Sequence, residues 1–433
     1  MIQGAPSNRN LGAIEKPRLG VALIGAGLAN KFHVRAWPGV RDADLVAICS
    51  TRKETARSLA ENCRALGLGT PQIYTDVQET IRDPNVEAAW LGVPSYAKLP
   101  VVKLITEEVL QGRSHLKAIT CEKPLARTPK EAREMLSLVE KAGLLHGYLE
   151  NQIYTPSVTK GKEAVWATTS ENAARPYLAR ASEEHGGPHS PWFWNPTLAG
   201  GGVLIEMMCH CLESSRFLLT APNEHREDLK LRSVSAEIAS LKWTRPYYIQ
   251  ELKERTHGEI DYSKLPAEDY ARATVAYEAK DGSIAIAEST SLYCYTGPGL
   301  RLLFELIGPE NSMSINTLQP DLNVFFSRNI RQQPGEFLVE KQEAEQGLMP
   351  TIADEATTYG YLAEDRHMVH SFREEKQPSE TWKNGLSCLE LIMTCYMAAE
   401  RGKKLRYPPP DLEDYVPQSV RAEWDPKMIL EGA

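Results

Sequence analysis

The 433-residue sequence predicts a two-part chain, an α/β unit on a parallel sheet followed by an α+β unit with an open, largely antiparallel sheet. Three observations predict it. Over the first third, short apolar runs alternate with helix-period segments. In the second half, strand-like runs follow one another, separated by loops rich in Gly, Pro and Asn. Gly25-Ala26-Gly27 turns the first apolar run directly into a helix.

The elements follow in order. Residues 1–17 are polar, contain no apolar run fit for a secretory signal, and read as a flexible arm. Arg18–Ile24 (RLGVALI), Asp44–Cys49, Val86–Val93 and Lys117–Cys121 are buried strands, with helices over Lys53–Leu66 and Pro100–Leu110. Thr128 opens a further helix as in a capping box, with Pro129 at its first position and Glu131 at its third; Gly143 stops it. The first unit therefore spans residues 18–149. Leu144–Gln152, Pro176–Ala181, Val234–Lys242, Ala271–Tyr277, Ser283–Ser291 and Leu300–Ile307 are strand-like, interrupted by one strong helix at Gly202–Leu219. Two late helices, Glu355–Arg373 and Gly385–Arg401, close the second unit, residues 150–407. Residues 408–433, Pro-rich and acidic, read as a surface tail.

Composition narrows the function classes. Hydrophobic residues make up 42% and charged residues 24% of the chain, an ordinary globular balance. The net charge is −8 and no Lys/Arg block stands out, which disfavours nucleic acid or an anionic membrane as partner. No stretch approaches the roughly 18 apolar residues of a membrane span. The eight Cys show no CxxC spacing and several sit in apolar segments (Cys49, Cys121, Cys388, Cys395), so free buried thiols in a reducing, cytoplasmic compartment are expected.

Gly25-x-Gly27-x-x-Asn30 follows a strand and opens a helix. The first Gly permits the tight turn, and the second lets the backbone approach a pyrophosphate seated on the helix N-terminus, with Leu28, Ala29 and Asn30 in its first turn. Asn30 stands where a third small residue is usual. The second strand ends in Ser50-Thr51-Arg52-Lys53, without the carboxylate that would bind adenine ribose hydroxyls, so NAD and NADP both remain open. Glu122-Lys123-Pro124 ends the strand at 117–121, on the carboxyl edge where open α/β sheets bind ligands.

These motifs, with Pro94-Ser95, the run Cys121-Glu-Lys-Pro-Leu-Ala and Gly200-Gly-Gly-Val-Leu-Ile-Glu206-Met-Met-Cys-His210, resemble the Gfo/Idh/MocA oxidoreductases; Gly385-Leu386, Glu390, Tyr396, Ala399 and Gly402 resemble their closing helix. The resemblance covers nearly the whole chain. It implies an N-terminal Rossmann domain, a C-terminal open sheet whose outer face makes a homo-oligomer, late helices belonging to that second domain, and one nicotinamide dinucleotide per subunit. It also places Val93, Pro94, Ser95, Glu122, Lys123 and Asn151 around the cofactor. Lys98 stands where many members have His, and Glu206 where most have Asp.

The chemistry implied is hydride transfer at a sugar or polyol carbinol. That needs a base for the hydroxyl proton and a group to hold the developing alkoxide. Lys123 serves either role, with a pKa expected to fall toward neutrality when desolvated beside a cationic nicotinamide. Glu206 and His210 are four apart, so a continuous helix puts them on one face, where the carboxylate orients the imidazole and raises its pKa. His185, His189, Glu206, Cys209, His210 and Cys211 crowd two segments with metal-ligand spacing, but Cys209 and Cys211 cannot share that face and no metal is expected.

For substrate, Trp192 and Trp194, flanking Phe193, suit the apolar faces of a pyranose, and His189 and Ser190 its hydroxyls. Tyr96, Lys98 and Arg180 are further candidates; convergence of the last two on the pocket favours an anionic sugar. A second reading is a glycoside hydrolase that oxidises C3 transiently, eliminates the aglycone, adds water and reduces again, on a substrate such as a sulfonated glycoside. A third is a non-catalytic sensor, against which intact Lys123 and His210 argue.

Overall fold

The computed structural model describes residues 17–169, 175–320, 322–329, 339–342 and 345–430. The arm expected at 1–17 lies outside them except for Pro17.

Six strands, β1 (Leu19–Ile24), β2 (Ala43–Cys49), β3 (Gln72–Tyr74), β4 (Ala88–Leu91), β5 (Ala118–Glu122) and β6 (Leu145–Leu149), form a parallel sheet in the order β3-β2-β1-β4-β5-β6. Their near-continuous burial fits a sheet covered on both faces. The crossovers carry α1 (Leu28–Ala36), α2 (Lys53–Ala65), α3 (Val77–Arg82), α4 (Ser95–Leu110) and α5 (Pro129–Lys141). Strand order reverses between β1 and β4, which opens a crevice at their carboxyl ends. Gly25–Gly27 and Gly92–Ser95 line that crevice.

The chain continues through α6 (Pro156–Ala167), β7 (Leu178–Glu184), α7 (Pro196–Ala199), α8 (Val203–Glu206), α9 (Met208–Leu219), β8 (Lys230–Ala239), α10 (Pro246–Arg255), β9 (Tyr270–Glu278), β10 (Ile284–Leu292), β11 (Arg301–Ile307) and β12 (Ser312–Asn316). It ends with a hairpin of β13 (Leu322–Phe326) and β14 (Gly347–Thr351), then α11 (Glu355–Thr358), α12 (Tyr361–Arg373), α13 (Trp382–Glu400) and β15 (Leu405–Arg406). The second sheet runs β12-β11-β7-β10-β9-β8-β15; β7 and β10 are parallel and every other neighbouring pair is antiparallel. Its strands alternate: Ala271, Ala273, Val275 and Tyr277 are buried, whereas Arg272 and Thr274 face outward. Helices α9 and α13 cover the inner face. Across the outer face run ion pairs such as Arg272–Glu237 and Arg232–Glu278.

Several elements differ from the sequence expectation. Strand β3, the hairpin β13–β14 and helices α6 and α10 are additional. The helix expected at Gly202–Leu219 is split at Met207 into α8 and α9, where φ widens to −116° while ψ stays at −39°. Helix 355–373 is interrupted at Gly360, where φ is +92° and a Cβ would lie 2.1 Å from the Asn151 carbonyl oxygen. The late helices divide: α13 packs on β8 and α9, but α12 returns to the first sheet, where Met368, Val369 and Phe372 join Val21, Trp37 and Trp90 in one core. Gly147 permits that return, since a Cβ there would meet the Met368 sulfur at 2.5 Å. Residues 408–430 lack long regular structure yet are pinned by buried Leu412 and Trp424, so they are not a loose tail. Among the described residues no helix is long and apolar enough to cross a membrane.

Candidate active site

The glycine turn after β1 is built by close backbone approach. Gly25 has φ +102°, and a Cβ on it would stand 2.3 Å from the Gly92 carbonyl oxygen. Gly27 caps α1 with no side-chain hydrogen bond, and the first turn holds no acid. A Cβ on Gly27 meets nothing nearer than Gly92 O at 3.9 Å, so the helix N-terminus is open to an anion. These features fit the pyrophosphate of a dinucleotide. Asn30 plays a different part from the one expected. Its side chain is buried and donates to the carbonyls of Ile24 (3.3 Å) and Gly25 (2.7 Å), bracing the turn from beneath. Gly92 makes room for it, since a Cβ there would meet the Asn30 amide at 2.7 Å.

The crevice widens into a cavity of about 490 Å³ between the two sheets. Leu28, Ala29, Val93, Pro94, Ser95, Glu122 and Asn151 line one side, with Lys123, Glu206 and His210 beyond them. Asn151 also donates to Tyr359 O at 2.7 Å, and Ser95 Oγ reaches Glu206 Oε1 at 3.4 Å. Ser50, Thr51 and Arg52 stand at the carboxyl end of β2, outside this cavity. Ser50 Oγ bonds Thr55 Oγ1 at 2.7 Å, and Thr51 and Arg52 are exposed.

Lys123 Nζ donates to Glu206 O at 2.7 Å. Burial opposes its charge, yet neighbouring Cys209, Glu206, Glu183 and Glu122 push its pKa above the ordinary value, not down toward neutrality. Without a cation in the cavity, Lys123 is an ammonium. Burial lifts the Glu206 carboxyl to about 7, only partly offset by Lys123, Lys98 and Ser95.

Glu206 and His210 do not pair, because the break at Met207 separates their helices. The partner of His210 is Glu150, at the end of β6: Nδ1 and Oε1 are 2.5 Å apart, both groups buried. Burial pulls the His210 pKa down to about 4 and lifts that of Glu150, the reverse of the expected rise for the imidazole. With Nδ1 engaged, Nε2 is the ring atom left to exchange a proton with the cavity.

The substrate candidates separate. Trp192 and Phe193 line the cavity as a stacked pair with centroids 3.7 Å apart, and Tyr96 meets Trp192 edge-on at 6.3 Å. His189 and Ser190 also line it. Trp194 instead plugs the core: it is buried against Trp243, Tyr262 and Tyr293, and its Nε1 donates to Pro188 O at 2.9 Å. Lys98 touches the cavity wall, but its ammonium is spent on the carbonyls of Glu122 (2.6 Å) and Pro124. Arg180 lies on the outer face of the second sheet, paired with Glu288 (2.8 Å) and Glu305 (3.5 Å). The period of two in β7 turns it away from Ala179, Ala181 and Glu183. With Arg180 outside and Lys98 committed, the argument for an anionic sugar is lost.

Sequence reasoning missed Gln152 and Glu183, which line the cavity, and Glu150, which holds His210 from behind; it named His185, also in the lining, only among metal-ligand candidates. Glu150 and Gln152 follow β6 in a polar run (Glu-Asn-Gln) that closes an apolar strand at the carboxyl edge. Glu183 and His185, two apart at the end of β7, share its inner side. Gln152 Nε2 donates to Glu183 Oε2 at 2.9 Å, and burial raises the Glu183 pKa. His185 stacks on Tyr293, and its Nδ1 accepts the Gly187 N–H at 2.9 Å. Burial holds this ring neutral, so its proton resides on Nε2.

Glu150, Cys209 and His210 offer ligand atoms within 4.8 Å of one another. Two of the three are already engaged together, and Cys209 Sγ (3.6 Å) donates to the same Glu206 carbonyl as the Lys123 ammonium. That ammonium opposes a divalent cation.

Residues 19–148 match the family model described as the Gfo/Idh/MocA oxidoreductase family, NAD-binding Rossmann fold, and residues 169–314 match the Gfo/Idh/MocA C-terminal domain. The chain is 30% identical over 219 residues to D-glucoside 3-dehydrogenase of Escherichia coli, covering 48% of this chain and 56% of that protein. It is 28% identical over 214 residues to levoglucosan dehydrogenase of Pseudarthrobacter phenanthrenivorans, covering 46% and 51%. The matches thus span about half the length of these curated relatives. Among solved structures, GenD2 from gentamicin A biosynthesis in complex with NAD aligns with a TM-score of 0.71 at 21% identity, over 92% of this chain and 99% of that one. Levoglucosan dehydrogenase in complex with NADH and levoglucosan aligns at 0.66 and 21%, over 90% and 99%. At these identities the likeness shows the fold.

Proposed function

Because the chain belongs to the Gfo/Idh/MocA oxidoreductase family, we propose that it is a nicotinamide-dependent dehydrogenase acting on a carbinol of a neutral sugar or polyol. The observation that carries this reading is the convergence of Lys123 and His210 on one cavity at the mouth of the Gly25–Gly27 crevice. The relatives matched over about half their length include dehydrogenases of a glucoside, levoglucosan and myo-inositol, which supports the substrate class.

The α1 N-terminus at Gly27 would hold the pyrophosphate, and Ser50, Thr51 and Arg52 the adenine ribose. Val93, Pro94, Ser95, Glu122 and Asn151 would surround the nicotinamide end. When bound, the nicotinamide supplies the hydride acceptor or donor. Lys123 then holds the carbinol oxygen and stabilises its developing charge. His210 exchanges the hydroxyl proton at Nε2, with its ring fixed by Glu150. Glu206 shares that environment and titrates near neutrality. Trp192 and Phe193 offer an apolar platform for the ring. Nε2–H of His185 donates and Glu183 accepts at other hydroxyls. Self-association through the outer face of the second sheet is proposed on that face being uncovered among the described residues and on exposed Ile284. A reducing, cytoplasmic setting accords with eight free cysteines, seven of them buried.

The test incubates the protein with NAD⁺ or NADP⁺ and methyl glucosides, 1,6-anhydroglucose, myo-inositol and aryl glycosides, following reduced nicotinamide and aglycone together. Stoichiometric cofactor reduction by a free sugar or polyol supports the proposal. Aglycone release without net reduction replaces it with a redox-cycling glycosidase. Lys123→Met abolishes turnover while leaving NADH affinity within a few-fold; unchanged turnover refutes the site assignment.

A further inference from the structure

A buried charge cluster outside the reacting groups centres on His33, in α1 and fully buried. Its Nδ1 lies 2.8 and 3.1 Å from the two carboxylate oxygens of Asp365, in α12. Its Nε2 lies 3.1 Å from Glu122 Oε1. A carboxylate only accepts, so a ring serving one on each nitrogen donates from both and is an imidazolium. Burial opposes that charge, but Asp365 and Glu122 outweigh it and raise the His33 pKa; His33 in turn holds Glu122 below its ordinary value against burial. Trp90 Nε1 donates to Asp365 Oδ1 at 2.9 Å, and the Tyr361 ring meets His33 edge-on at 5.3 Å.

A buried ion triad rarely out-stabilises apolar residues of the same volume, so its presence calls for a positional reason. Glu122 supplies one. It borders the cavity, its Oε2 accepts the Lys123 N–H at 3.2 Å, and its own carbonyl accepts from Lys98 at 2.6 Å. The Glu-Lys-Pro turn is thereby gripped from both sides, and one grip comes from a helix 332 positions away in sequence from His33.

We propose that His33 and Asp365 are positioning residues for the cofactor: they clamp the Glu122 carboxylate, and with it the Lys123 backbone, at the cavity edge facing the bound dinucleotide. This rests on the nicotinamide reading of the cavity. It gives α12 a second part in the cofactor site, through Asp365, beside Tyr361, which lines the cavity directly.

The experiment is a double-mutant cycle read by NADH fluorescence titration of the full chain, which needs no sugar substrate. His33→Leu and Glu122→Gln each weaken NADH binding by about tenfold, and the double variant is no weaker than the worse single, because both break one clamp. His33→Gln, which keeps a donor toward Glu122, retains most of the affinity. If His33→Leu does not fold, Asp365→Asn takes its place in the cycle. Additive losses, or wild-type affinity in His33→Leu, overturn the proposal. A wild-type chain that binds neither NADH nor NADPH overturns the cofactor reading itself, and the two failures are thus distinct; if it binds NADPH alone, the cycle is read with NADPH.

Discussion

Glu206 is a carboxylate whose burial the fold tolerates at a cost, and Glu206→Gln exposes that cost. Burial raises its pKa from an ordinary 4.5 to about 7. That rise, at about 1.4 kcal/mol per pH unit, amounts to about 3–4 kcal/mol. The sign follows from linkage. The folded state prefers the protonated acid, so its contribution is complete below pH 4.5, declines as the unfolded chain ionises, and is gone above about pH 7. The Gln variant carries no such penalty. Thermal unfolding of the cofactor-free protein, measured from pH 5 to pH 8, should show near-equal stability at pH 5. At pH 8 the variant should gain up to about 3–4 kcal/mol, a few degrees in Tm for a chain of this size. Glu268, lifted to about 7 mainly by burial and held by Tyr396, keeps a slope of its own in both proteins and serves as internal reference. Parallel pH profiles for wild type and variant would refute the claim that Glu206 is held in its acid form.

Three further outcomes follow from the geometry. Gly25→Ala forces a side chain to φ +102° and onto the Gly92 carbonyl, a strain of about 1–3 kcal/mol, so it lowers Tm and NADH affinity together. Gly27→Ala, with open space around it, keeps Tm and loses affinity only; equal Tm losses in the two would show the turn misread. Glu150→Leu removes the acceptor at Nδ1, frees the His210 ring and lowers kcat by about a hundredfold with NADH affinity retained, and an unaltered kcat would remove His210 from proton exchange. Trp192→Ala raises the sugar KM roughly tenfold at normal Tm, whereas Trp194→Ala costs about 3–5 kcal/mol of stability, and the opposite pattern would exchange their roles.

The first sheet was legible because its signals are local. A strand buried on both faces reads as an apolar run, and a glycine pair followed by helix period marks the turn into α1. The three-residue β3 has too few positions to show a period. Helices α6 and α10 lie where apolar spacing is sparse, at Val158, Val165 and Leu252. Arg180 was misplaced because strand type was legible but the identity of its covered face was not. Once α9 packs against β7, the period of two sends Glu183 inward and Arg180 out.

The sequence by itself determined the order of elements and the family motifs, and it singled out the two residues on which the proposed chemistry turns, Lys123 and His210, since each sits beside glycines or a strand end that shape only their neighbours. The tertiary structure alone decided which groups surround them. Glu150 meets His210 across 60 positions, Asp365 meets His33 across 332, and Met207 parts Glu206 from His210. Such pairings are made when separate elements dock and exclude water together, and the same exclusion sets the protonation states. Local spacing carries no record of which distant carboxylate will be buried beside which imidazole.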